Sequence, residues 1–251
     1  MTPSIIHTKY HMQFQKNQAK AQTSAFWLRS GVWTLAFALF MMLIYPTFDL
    51  DFHLSNLFFD AQQQRFTLRG HPILNVWLHT GIKWVMVCVA LVSLALAISA
   101  HWLVKLKPYQ SALFWVFIGL VLSTSAVAIL KHDSMHACPW DLTIYGGDLP
   151  FFDLFKKPPA GTKSGGCFPA GHPSGGFALM AFYFAFRQYR VRFAGAMLWL
   201  GILMGLAMGL VQIIRGAHFL SHVLWSGWVV WLTLLLLYGL WTPKIKSRHK
   251  A

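Results

Sequence analysis

About six runs of mostly apolar residues, each near the length a helix needs to cross a bilayer, decide what this chain can become. A spanning α-helix takes roughly 20 predominantly apolar residues. The runs fall at Trp27–Tyr45, Ile82–Leu103, Tyr109–Leu130, Ser174–Phe186 with flanks, Phe193–Ile214 and Phe219–Trp241. The fourth is short and relies on its flanks. In hydrocarbon every backbone N–H and C=O has to be satisfied within the protein, which leaves helices and closed barrels as spanning forms; apolar runs this long read as helices. Composition agrees: of 251 residues, 56% are hydrophobic and only 11% charged, unlike a soluble domain. The expectation is an all-α polytopic membrane protein, a six-helix bundle forming one domain over residues 26–241. A basic N-terminal segment (1–25) precedes it and a basic tail (242–251) follows. No internal repeat, low-complexity tract or long linker divides it. The first run ends in MLIYPTF with no small-residue cleavage pattern after it, so it reads as a signal-anchor rather than a removed signal peptide.

The net charge of +14 invites a nucleic-acid reading, and its distribution argues against one. Thirteen cations lie on one side of the expected bundle: Lys9, Lys16, Lys20 and Arg29; Lys105 and Lys107; Arg187, Arg190 and Arg192; Lys244, Lys246, Arg248 and Lys250. There is no glutamate. All seven aspartates, with the other eight Lys and Arg, fall in the loops and helix ends of the opposite side. Lys and Arg concentrate in short cytoplasmic loops. Both termini are therefore expected in the cytoplasm, and loops 46–75 and 131–173 outside, in a multi-pass protein of a bacterial inner (plasma) membrane. The basic face also suits anionic headgroups. The lipid bilayer is the implied partner, and nucleic acid is not.

The external side gathers ionisable residues at helix ends, where such groups are expensive and mark a site by default. The third run ends in AILKHDSMHACPWDL, the fourth opens with FPAGHPSGG, and the fifth and sixth meet at QIIRGAHFLSH. Pro173 suits the first turn of a helix, where its missing N–H goes unneeded. His172 then sits at the helix start, with Gly171 letting backbone approach a ligand and a helix N-terminus favouring an anion such as phosphate. Arg215, His218 and His222 recur at three- and four-residue steps, one face of a helical continuation. Cys138 and Cys167 share the external loop, where an oxidising compartment permits a disulfide and two free thiols are the alternative. Cys88 lies mid-helix.

At these residues the sequence resembles the type 2 phosphatidic acid phosphatase (PAP2) superfamily, whose pattern runs K-x6-R-P, then P-S-G-H, then S-R-x5-H-x3-D. Here the first appears as KHDSMHACP, with Lys131 and Pro139 matching and Cys138 in the Arg place; the second is PAGH, with Ala170 for Ser. In the third, His218 matches the central His, Gln212 falls at the Arg position and His222 replaces Asp. The resemblance implies a site at the outer, periplasmic interface and metal-independent phosphatase chemistry without a cofactor. His218 is the implied nucleophile, forming a phosphohistidine, and His172 the proton donor and later base. Lys131 and the Gly171 backbone are implied phosphate ligands, and Gln212 and His222, at the two substituted motif positions, are expected to line the same phosphate site.

Three departures have candidate replacements in the chain. Arg215, one turn nearer His218 than Gln212, reaches for the same phosphate. Asp141 or Asp133 supplies the carboxylate that His222 does not, Asp141 being preferred. Lys156, Lys157 or Lys163, in the same loop, stands in for the Arg lost at Cys138. A Cys138–Cys167 pair, if formed, ties the first motif to the second. A zinc site at His218, His222 and His172 has suitable spacing, yet the chain lacks the Glu of zinc hydrolases. The expected substrate is a membrane lipid phosphate monoester or diphosphate. The alternatives are phosphoryl transfer to another lipid such as lipid A, and a non-catalytic lipid-phosphate binding or transport role.

Overall fold

The structure, a computed structural model, describes residues 24–154 and 156–245. Most of the basic N-terminal segment and of the basic tail, with Lys9, Lys16, Lys20, Lys246, Arg248 and Lys250, lies outside the described residues. The chain divides after Thr47 into two units. The first carries all but the last residue of the helix α1 (Ser24–Phe48), which loosens into a π-helical turn at Phe40–Ile44 and tightens into a 3₁₀ turn at Tyr45–Phe48. Pro46, with no N–H to donate, sits in that last turn, and the Thr47 hydroxyl donates to the Ile44 carbonyl at 2.7 Å.

The second unit holds everything else. It begins with α2 (Leu50–Asn56) and a two-stranded hairpin, β1 (Phe59–Asp60) and β2 (Arg65–Phe66), antiparallel with Phe59 opposite Phe66. A π-helical run at Ile73–Gly81 leads into α3 (Ile82–Ser99); α4 (Gln110–His132) follows. After a long loop come α5 (Gly171–Ala178), α6 (Met180–Phe186), α7 (Val191–Ile214) and α8 (Leu220–Leu240). Among the described residues five helices are long and apolar enough to cross a membrane: α1, α3, α4 with its 3₁₀ lead-in from Lys107, α7 and α8. The short fourth run of the sequence is α5 and α6, broken at Leu179, where the Leu179 and Phe182 amides bond three residues back. Each piece alone is too short to span.

Small residues decide how the helices pack. Lipid tails are as apolar as leucine, so helices in a bilayer associate through close packing rather than through burial from water. On α7, Gly201, Gly205 and Gly209 recur every four residues along one face. A Cβ at Gly205 would lie 2.4 Å from the Phe177 ring, one at Gly209 2.3 Å from Val223, and one at Gly201 2.9 Å from Met180. The stripe lets α5, α6 and α8 approach the α7 backbone, and Gly176 of α5 answers it, its own Cβ position falling 2.6 Å from the Gly205 nitrogen. Helix α5 is thereby lodged among α4, α7 and α8.

At the end of the bundle where α4 finishes and α5 and α8 begin, the loops form an aromatic cap. Phe66, Leu142, Tyr145 and Phe219 are buried together, with Phe52, Phe59 and Trp140 packed around them. The Tyr145 ring meets Phe59 at 4.9 Å and Phe66 at 5.2 Å edge-on, the preferred aromatic geometry. Its hydroxyl donates to Asn56 at 2.8 Å. Burial pushes that phenol up to about 12, with the charge of Asp51 reinforcing it. The Asp51 carboxylate accepts the Ser221 amide at the start of α8, 2.8 Å away, so α2 caps the helix that follows His218.

The glycine stripe is the most exposed point of failure in this packing. Gly205→Leu is expected to lower stability in detergent by about 1–3 kcal/mol, the usual cost of overpacking. Gly195→Leu, on the same helix where a Cβ meets nothing within 4 Å, is expected to be silent. Thermal aggregation midpoints of the two variants check this.

Candidate active site

Three segments separated by tens of residues are tied together by their backbones. The Cys167 amide donates to the His136 carbonyl at 3.0 Å and the Gly166 amide to Ser134 at 2.9 Å, so residues 164–167 run beside 134–137. Gly165 permits this contact, since a Cβ there would stand 2.4 Å from the Ala137 Cα; Gly166 carries φ of +54°. Cys138 and Cys167 form a disulfide across the same pair of segments. The Trp140 amide donates to Gly216 at 2.9 Å, joining the first segment to the third, and the Ala170 amide donates to His222 at 3.0 Å, joining the second to the third. Gly216, with φ of +73°, turns the chain between α7 and α8 against the Phe66 ring.

That turn delivers His218 into the interior, only 4% exposed. Its Nδ1 lies 3.3 Å from the Cys167 sulfur, and its ring centroid is 5.7 Å from that of His222. Burial holds the His218 imidazole well below the ordinary histidine range; the neighbouring His222, Lys131 and His172 push the same way, while the Cys167 carbonyl opposes them. The ring is therefore neutral near pH 7 and keeps a lone pair, which a nucleophile needs. His136, in the same loop, is also pushed down by burial against a bond to the Leu154 carbonyl, and it stacks on Phe152 at 4.4 Å.

His172 lies in the first turn of α5, whose start carries no side-chain cap. The Lys131 side chain reaches over from the end of α4: a Cβ placed on Gly171 would lie 3.4 Å from its Cδ and 3.9 Å from its Nζ. Ammonium and helix N-terminus thus converge, as an anion requires. His172 and Gly171 also line a groove of about 580 Å³ between α3, α4 and α5. Its α3 wall is Lys83, Met86, Val87, Ala90 and Leu91, one helical face, and Phe117, Leu120 and Val121 close it farther along α4. The groove carries Lys83 and His172 at its mouth and is otherwise mostly apolar. Lys83 carries no sequence signal beyond its place at a helix end, where lysines commonly snorkel.

The other expected site residues are engaged as follows. The Asp141 carboxylate accepts the Trp140 indole N–H at 2.9 Å and faces Arg69 at 3.9 Å. Asp133 contacts His132 at 2.8 Å, and both side chains are largely exposed. Arg215 is 7% exposed; its guanidinium donates to the Arg69 carbonyl at 3.2 Å, to Asn75 at 3.0 Å and to Gln212 at 3.2 Å. It braces the approach to α3. Gln212 is buried with its amide nitrogen unpartnered, and His222 is buried with Nδ1 unpartnered. The geometry thus brings His218, His222 and Cys167 together, and Lys131 with Gly171 and His172.

The Cys167 sulfur and ring nitrogens of His218 and His222 lie within 4.8 Å of one another. With that sulfur committed to Cys138, the trio offers two histidine ligands, fewer than zinc sites use.

A family model described as PAP2 superfamily matches residues 112–246, from the start of α4 through α8. No curated protein and no solved structure matches the chain.

The buried neutral histidine has a thermodynamic signature. Above pH 6.5, the ordinary histidine value, both folded and unfolded chains hold His218 neutral and its contribution is complete. As pH falls below that value the unfolded chain takes up a proton that the folded chain refuses, so stability is lost toward the depressed folded pKa. Melting in detergent is expected at a lower temperature at pH 5 than at pH 7.5. His218→Gln is expected to narrow the gap without closing it, since His136 acts with the same sign.

Proposed function

The chain belongs to the PAP2 superfamily, and on that premise we propose that it is an integral-membrane phosphatase acting on the phosphate monoester or diphosphate of a membrane lipid. The observation that carries the reading is the groove: His172 stands at the cationic mouth of an apolar channel that runs along two candidate membrane spans. A phosphate headgroup suits the mouth and a hydrocarbon tail suits the channel. In the proposed topology α5 and α6 together make the fourth of six crossings, both termini are cytoplasmic and the histidines face the periplasm. The asymmetry of Lys and Arg supports that orientation.

In the proposed reaction the Nε2 lone pair of His218 attacks phosphorus and the bond from phosphorus to the lipid oxygen breaks. Protonated His172 gives its proton to that oxygen, releasing the lipid alcohol and leaving a phosphohistidine. His172, now neutral, takes a proton from water as the water oxygen attacks phosphorus. The N–P bond breaks, phosphate leaves and His218 regains its lone pair. Charge spread over the equatorial oxygens is met by Lys131 and the N–H groups opening α5. Lys83, across the mouth, adds a second ammonium where the family's arginines are missing.

Phosphate release by the purified protein, measured over phosphatidic acid, phosphatidylglycerol phosphate, polyprenyl diphosphate and lipid A, tests the reading. Activity is expected to survive EDTA, to vanish in His218→Ala and to fall by about 10²–10⁴ in His172→Gln, the range for a general acid–base group. Lys83→Ala is expected to raise KM more than it lowers kcat. Release that is indifferent to His218, or no release from any substrate, would overturn the assignment.

A further inference from the structure

The family's nucleophilic histidine is partnered by a carboxylate, and this chain has His222 in that place. A working imidazole needs its tautomer fixed by whatever its second nitrogen touches. Five of the seven aspartates are engaged elsewhere: Asp141 with Trp140 and Arg69, Asp133 with His132, Asp51 with the Ser221 amide, Asp153 with Lys156 and Asp60 with the Gln62 and Gln63 amides. The sulfur of Cys167 meets the His218 Nδ1 at 3.3 Å, beside the Cys167 carbonyl that also bears on the ring, and Cys167 is fully buried.

We propose that Cys167, held in its disulfide with Cys138, is the positioning residue for His218, its sulfur accepting the Nδ1 proton so that Nε2 is left as the nucleophile. This rests on the phosphatase reading for its role in turnover, but not for the tautomer itself. A disulfide sulfur has no proton to donate, so at this contact only the ring can be the donor. The bond to Cys138 and the amide bond to His136 hold that sulfur against the ring. The Ala217 carbonyl, 3.1 Å away on the same sulfur, is acceptor-only as well. Reduction alters this chemistry: a Cys167 thiol gains a proton to give, with the Ala217 oxygen and Nδ1 both in reach, and loses its tether.

The test uses full-length protein in detergent in a Cys88→Ser background, so that one thiol at most can react. Nitrogen-15 spectra of histidine-labelled protein, with His218→Ala used to assign the signal, read the tautomer directly. The oxidised protein is expected to carry the His218 proton on Nδ1. Cys138→Ala/Cys167→Ala is expected to move it to Nε2, the form free histidine prefers, and to lower kcat by about 10- to 100-fold, as loss of a group orienting an imidazole commonly does, with KM little changed.

Cys138→Ala alone separates orientation from mere tethering. Methyl methanethiosulfonate converts its Cys167 thiol into a methyl disulfide: the S–H bond and the reagent's S–S bond break, a new S–S bond forms, and methanesulfinic acid leaves with the proton. That restores an aprotic sulfur without restoring the link to residue 138. Recovery of both the Nδ1–H signal and kcat is expected here, and not in the double variant. An Nε2–H signal in the oxidised protein, or a double variant that keeps the Nδ1–H form, overturns the proposal. A correct tautomer in a protein that releases phosphate from no lipid overturns the phosphatase reading instead.

Discussion

The site depends on a small set of backbone hydrogen bonds that cross between segments remote in sequence: Cys167 to His136, Trp140 to Gly216 and Ala170 to His222. Each satisfies peptide groups at the edge of a helical bundle, where an unpaired amide is costly. Collectively they leave little freedom in where the histidines stand. Side chains elsewhere elaborate on that arrangement. The aromatic cap shields it from above, Asp51 secures the start of α8 from the side, and the α7 glycines allow α5 to sink until its first turn stands beneath Lys131.

The apolar runs revealed the helices because the bilayer imposes a length and forbids unpaired backbone. The fourth run was short in sequence for a physical reason: it is two helices, α5 and α6, with a break at Leu179. The motif histidines and Lys131 were readable because helix ends at one depth have few partners but each other. The proximity of Cys138 and Cys167 was readable only as one of two options, since compartment, not spacing, permits a disulfide.

What the sequence hid was the choice of partner. Arg215 at three residues from His218 looks available to a phosphate, yet Asn75 and the Arg69 carbonyl, about 140 residues earlier, take its guanidinium. Asp141 looks like a spare carboxylate, and its own neighbour Trp140 takes it. Lys83 stands at the mouth of the groove, but no spacing rule connects it to His172 across 89 positions. Such pairings are set by the tertiary arrangement of loops and cap, which has no short-range period.

The groove follows α3 from Lys83 to Leu91 and α4 from Ala128 to Phe117, about 12 Å and about 16 Å at the rise of an α-helix, which is roughly half the hydrocarbon thickness. An amphiphile seated there exchanges lipid neighbours for protein neighbours of similar polarity, so its chain gains almost nothing in transfer free energy. For the proposed lipid substrates, discrimination would then fall on the headgroup and on how deep the chain lets it sit. Lengthening a tail past that reach changes only what the surrounding membrane dissolves. Under the proposed function the protein would measure vertical position, with the bilayer as the solvent for the remainder of the molecule.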